Sequence, residues 1–87
     1  MKAQSTIRVK EWFRDKLATE ARKYHILLNG EYDTVGEVQM LNHETLRVEA
    51  VLGETEKAFR VVLDGETTFG NPHTYTAWIP KSVIIEA

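Results

Sequence analysis

An α+β fold, in which an N-terminal helix packs on a small antiparallel curled sheet or barrel of SH3-like or OB-like type, is what this sequence predicts. Three observations carry that expectation. Apolar residues recur at helical spacing from Val9 to Leu28, the second half alternates with period two between turn signals, and Trp78-Ile79-Pro80-Lys81-Ser82 forms a corner at the end of a strand. A chain of 87 residues has room for one domain, residues 1–87, with one modest core. A chain of that size rarely encloses the pocket of roughly 300 Å³ or more that small-molecule sites need, so a flat or grooved binding face is expected in its place.

The helix is expected over about residues 7–28. Val9, Phe13, Leu17, Ala21, Tyr24 and Leu28 follow one another at steps of four or three, with Trp12 on the flank, and so define one broad face. Ser5 or Thr6 can serve as N-cap, and Asn29-Gly30 supplies a left-handed stop. A second reading ends the helix near Lys23 and makes Tyr24 to Leu28 a strand, with Asn29-Gly30 as a hairpin turn. The unbroken apolar face favours the longer helix.

Strands are expected over about residues 35–41, 45–52, 57–63, 66–69, 74–79 and 83–86. Leu46, Val48, Ala50 and Leu52 alternate with Thr45, Arg47, Glu49 and Val51, which makes one wetter face. Gly53 to Glu56 turns the chain, Phe59, Val61 and Leu63 mark the core side of the return strand, and Asp64-Gly65 reads as a type I′ hairpin turn. Gly70-Asn71-Pro72 breaks the pattern again before the last strands.

Composition narrows the function classes. There is no cysteine, which removes disulfides and thiolate metal sites and fits a reducing compartment. No apolar run reaches the length of a membrane span and the N-terminus leads into no signal-peptide core, so a cytoplasmic protein without membrane contact is expected. The net charge of −2 is unevenly spread: residues 1–28 carry seven Lys/Arg against three Asp/Glu, and residues 29–87 carry four against ten. The acidic body repels a phosphate backbone and suits a basic protein surface.

His25, His43 and His73 lack the spacing that puts two imidazoles on one metal, and no metal or cofactor is expected. His43-Glu44 are adjacent in sequence and expected on a turn, where neighbouring side chains usually point apart, a poor arrangement for acid–base work. Neither Ser5 nor Ser82 lies in a G-x-S-x-G context, and residues 65–70 lack the Lys of a phosphate loop. The chain is therefore expected not to be an enzyme.

Thr55-Glu56-Lys57-Ala58 followed by Trp78-Ile79-Pro80-Lys81-Ser82 resembles a pattern in small phage, prophage and bacterial proteins of unassigned function, where T-x-K-A opens one strand and W-[IL]-P-K-S closes the sheet. The resemblance covers residues 45–85 at most. The N-terminal helix and the insertion Thr67 to Tyr75 depart from the shortest members. What it implies is a small sheet module, often carried by mobile elements, with no family reaction to transfer.

Two functions remain. One is a non-catalytic inhibitor or adaptor that binds a host protein through its sheet edge, its acidic surface and the corner, where Trp78, Lys81 and Tyr75 form a recognition patch with Arg60 as a further sheet cation. In that reading the Lys81 charge projects beyond the proline; in a purely structural one Trp78 is a half-buried barrel lid crossed by the Lys81 methylenes. The alternative is a single-stranded nucleic-acid binder that stacks bases on Trp78, Tyr75 and Tyr32 and contacts phosphates through Arg8, Arg14, Lys16, Arg22 and Lys23. Pairing of free strand edges would give a homodimer.

Overall fold

A computed structural model describes residues 1–28 and 45–86. The elements run β1 (Ser5–Val9), α1 (Glu11–Arg22), β2 (Ile26–Leu28), β3 (Thr45–Glu54), β4 (Ala58–Thr67), β5 (Pro72–Pro80), a 3-10 turn Lys81–Val83, and β6 (Ile84–Glu86). The fold is α+β: one helix packed on a strongly curled antiparallel sheet, a half-barrel of six strands among the described residues. The expected strand over residues 35–41, Asn29-Gly30, Tyr32, His43 and Glu44 lie outside the described residues.

The predicted helix is shorter than its apolar stripe. Ile7 and Val9 alternate with polar neighbours, are β-branched and point inward from β1, which pairs with β3 from Ser5↔Val48 to Arg8↔Thr45. Helix α1 starts only at Glu11, behind Lys10, whose own N–H donates to the Val83 carbonyl at 2.9 Å. It stops at Arg22 because His25 turns left-handed at φ 59°, with its N–H donating to the Arg22 carbonyl at 3.0 Å. Ile26 to Leu28 then form a strand, as the second reading of that segment had it, while Tyr24 is exposed. Val9, Phe13, Leu17, Ala21 and Leu28 do line one core, but from a strand, a helix and another strand in succession.

Strand β4 organises the sheet. One of its edges carries β5 along its length, from Ala58↔Pro80 to Glu66↔Pro72. The other edge is shared: β3 takes Phe59 to Leu63 and β2 takes Gly65 to Thr67. Asp64-Gly65 is accordingly not a hairpin turn but the interior of a ten-residue strand. Gly65 is required there by close approach of backbone, since a Cβ would meet the Leu27 carbonyl oxygen at 2.8 Å and that of His73 at 3.1 Å. The turn comes later, at residues 68–71, where Gly70 takes φ 85° and its N–H donates to the Thr67 carbonyl at 2.9 Å.

Strand β3 departs from simple alternation at two bulges, between Val48 and Ala50 and between Val51 and Gly53. Each inserts one residue and so resets which side chains face inward. Leu46 and Val48 are in the core and Val51 packs against it, whereas Ala50 and Leu52, expected on the core face, belong to the outer one. Leu52 is 53% exposed as a result.

Candidate functional site

The outer face of β3, β4 and β5 gathers the features that could recognise a partner. On β5, Tyr75, Ala77 and Ile79 point inward and Thr74, Thr76 and Trp78 point out. Trp78 is 52% exposed and stands directly opposite exposed Arg60 on β4. Leu52 comes to the same face through its bulge, which sets Gly53 opposite Arg60. Half-buried Val62 lies two residues along, opposite Thr76 and Ala50. An indole, a guanidinium and aliphatic groups thus share one surface.

The corner itself is built differently from either expectation. Lys81 does not project its charge: its Nζ donates to Glu54 Oε2 at 2.5 Å and lies 4.9 Å from the centroid of the Phe59 ring. The ring its ammonium approaches is that of Phe59, while Trp78 points outward on β5 and is 52% exposed. Behind it, the Lys81 N–H donates to the Lys57 carbonyl at 2.7 Å, while the Thr55 N–H donates to the Ala58 carbonyl at 2.8 Å and the Thr55 hydroxyl accepts from the Ala58 N–H at 3.1 Å, closing the β3–β4 turn. The two sequence motifs therefore meet, the proline corner fastened to the hairpin turn. The Lys81 ammonium holds the Glu54 carboxyl below its ordinary range through that hydrogen bond.

Of the other sequence-predicted cations, Arg8 lies on β1, opposite Thr45 and Glu86 in register, and not on the helix. Arg14 is only 2% exposed, and its guanidinium donates to the Leu28 carbonyl at 3.4 Å. A cation so enclosed cannot serve as a surface phosphate contact; its burial fastens the helix to β2. Arg22 and Lys23 are exposed at the end of α1. Lys16 borders a groove of about 270 Å³ between α1 and β5, lined by Phe13, Leu17, Glu20 and residues 75–78. Tyr75 sits at one end of it, its ring 6.5 Å from that of Tyr24, and burial followed by the Glu20 charge pushes its hydroxyl pKa up.

Beside the Trp78 surface lies an acidic border. The Asp64 carboxylate is 3.4 Å from Arg47, and Glu49 shares a hydrogen bond with Asp64 that raises the Glu49 pKa, helped by the Asp64 charge and offset in part by Arg47. A carboxyl with a raised pKa binds its proton more tightly in the folded chain, so this pair detracts from stability as pH climbs through the folded pKa, and the loss persists at neutral pH. Glu49→Gln is accordingly expected to raise the melting temperature at pH 7 and to leave it unchanged well below pH 4.5, the ordinary value for this group. Thermal melts at the two pH values check this.

Sequence reasoning missed Leu52, whose exposure depends on a bulge, and Phe69, 91% exposed at the tip of the β4–β5 hairpin. Only the turn signal Gly70-Asn71-Pro72 could have placed Phe69 outside. Among the described residues no group of three or more His, Cys, Asp or Glu side chains is placed to hold a metal ion, and no helix is long and apolar enough to cross a membrane. No family model, curated protein or solved structure matches the chain.

Proposed function

We propose that this chain is a non-catalytic interaction module, an adaptor or inhibitor that binds another protein through the outer face of β3–β5. The carrying observation is the juxtaposition of exposed Trp78 with Arg60 and Leu52 on the outer face of one sheet. Tryptophan and arginine dominate the energetics of protein interfaces because each combines large contact area with directed polar groups, and a polar border that excludes water completes such a patch. The partner suited to this face offers an apolar pocket to the indole and a carboxylate to the guanidinium.

Nucleic acid fits the same face less well. Of the cations that would meet phosphate, Arg14 is enclosed, Lys81 is bound to Glu54 and Arg47 is beside Asp64. Glu49 and Asp64 add negative charge at the border, where a polyanion would be repelled.

The test is affinity purification from cell lysate with wild-type, Trp78→Ala and Arg60→Glu baits, each with and without nuclease. A protein retained by wild type, unaffected by nuclease and reduced at least about tenfold on both variants supports the reading, a factor that corresponds to about 1.4 kcal/mol. Trp78→Ala is expected to cost no more than about 1 kcal/mol of stability, the range of a cross-strand surface contact, so loss of binding would not reflect unfolding. Nuclease-sensitive capture, or equal capture by all three baits, would reject it.

A further inference from the structure

The edge of β5 that faces away from β4 carries a second surface, made of backbone and not of side chains. Among the described residues β5 pairs with β4 alone. Two hydrogen bonds fix which of its groups are used: Thr67 N–H to the Asn71 carbonyl at 2.8 Å and Lys81 N–H to the Lys57 carbonyl at 2.7 Å, both continuing the β4–β5 register. In an antiparallel ladder bonded and non-bonded pairs alternate, so odd-numbered residues of β5 bond to β4 and even-numbered ones turn their N–H and C=O groups away from it. The outward set is Pro72, Thr74, Thr76, Trp78 and Pro80. The prolines have no N–H, which leaves a short window of donors at Thr74, Thr76 and Trp78.

That window is symmetric about Thr76, with a proline four residues to either side. Symmetry of this kind is what a two-fold interface between identical edges needs, because each copy must offer the same surface to the other. If two β5 strands run antiparallel with Thr76 opposite Thr76, then Thr74 faces Trp78 of the second copy and Pro72 faces its Pro80. Every outward N–H of Thr74, Thr76 and Trp78 then meets a carbonyl of that same set, and the positions without donors meet each other. On the inner face, Tyr75 stands opposite Ala77 of the second copy, a large side chain against a small one.

The helices agree with this register. Lys10 is bonded to Val83, so α1 begins at the Pro80 end of β5; Glu20 and Tyr24 act on Tyr75, so it ends toward Thr74. Lys16 and Glu20 both border the groove beside β5. Because α1 runs antiparallel to β5, the two-fold pairing brings Lys16 of each copy toward Glu20 of the other. We propose that the chain forms a two-fold homodimer by antiparallel pairing of β5 edges centred on Thr76, with Lys16 and Glu20 as reciprocal ion pairs. The Trp78 and Arg60 side chains stay on the outer face, so the dimer would present two copies of the binding surface side by side; the pairing does not depend on that surface having a partner.

Sedimentation equilibrium of the full chain at roughly 10 to 100 μM, a range that populates a dimer of micromolar affinity, is expected to show a dimer. Thr76→Pro removes the central donor without touching the β4 ladder, and is expected to give a monomer with an unchanged circular-dichroism spectrum. Lys16→Glu alone should weaken the dimer at least about tenfold by placing like charges together, and Lys16→Glu with Glu20→Lys should return it to within about threefold of wild type. A wild-type monomer across that range overturns the proposal, as does a dimer unmoved by Thr76→Pro in a folded variant. Should Thr76→Pro lose its fold, the charge exchange decides: absence of rescue rejects the register. Trp78→Ala keeps its backbone donor and should remain dimeric, which separates this result from failure of the binding face.

Discussion

Phe13→Ala is expected to cost about 3 to 5 kcal/mol of folding stability, the range for truncating a buried aromatic ring. Phe13 is 4% exposed in the first turns of α1 and joins Leu17 and Ala21 in the core formed with the sheet. The helix has no side-chain N-cap, so its place depends on that packing, on the Lys10–Val83 bond and on buried Arg14. A cavity at Phe13 would adjoin the groove between α1 and β5. If the helix can settle into it the loss lies at the lower end of the range. The neighbouring Trp12→Ala supplies a control: Trp12 meets Phe13 edge-on at 5.8 Å but is 59% exposed, so its loss should cost only about 0.5 to 1.5 kcal/mol. Urea unfolding of both variants measures the difference. Midpoints that barely move in Phe13→Ala would mean that α1 is not docked on the sheet.

What could be read in advance follows from which interactions are local. The steps of four from Phe13 to Ala21 and the period of two from Leu46 to Val48 are local, and all of these residues lie in the core. Val9 and Leu28 extended the helical spacing by coincidence, because a strand entering and a strand leaving a helix can bury residues in the same core as the helix does. Spacing alone could not separate these cases, although β-branched Ile7 and Val9 pointed to a strand. Ala50 and Leu52 turn outward against their alternation because a bulge depends on the partner strand and leaves the local pattern of residue types intact. Lys81 illustrates the same limit at the candidate site. Its proline corner was legible, but Glu54 and Phe59, which hold its ammonium, are more than twenty residues away in the chain. The outward-facing donors of β5 likewise depend on ladder parity, which no residue type records.

Gly65 provides the sharpest separation between a turn and a strand interior. Gly65→Ala is expected to destabilise by about 1 to 3 kcal/mol or more, as overpacking of a closed site does. The new Cβ would lie 2.8 Å from the Leu27 carbonyl oxygen, 3.1 Å from that of His73 and 3.2 Å from Ile26 Cγ2. The two nearest atoms are backbone, held by the ladders on both sides of β4, and cannot swing aside as the end of a long side chain would. Gly53→Ala is the matched comparison, since nothing lies within 4 Å of its Cβ position. There the reduced freedom of the unfolded chain should leave stability unchanged or raise it by about 0.4 to 1 kcal/mol. Gly65→Asn completes the argument, because asparagine tolerates the left-handed conformation of a hairpin turn better than alanine does. At a turn Asn would be the milder substitution; in a strand interior crowded by two neighbouring backbones the larger side chain must be the worse one. Denaturation midpoints ordered wild type, then Gly65→Ala, then Gly65→Asn from most to least stable are the expected outcome, and the reverse order for the two variants would restore the hairpin.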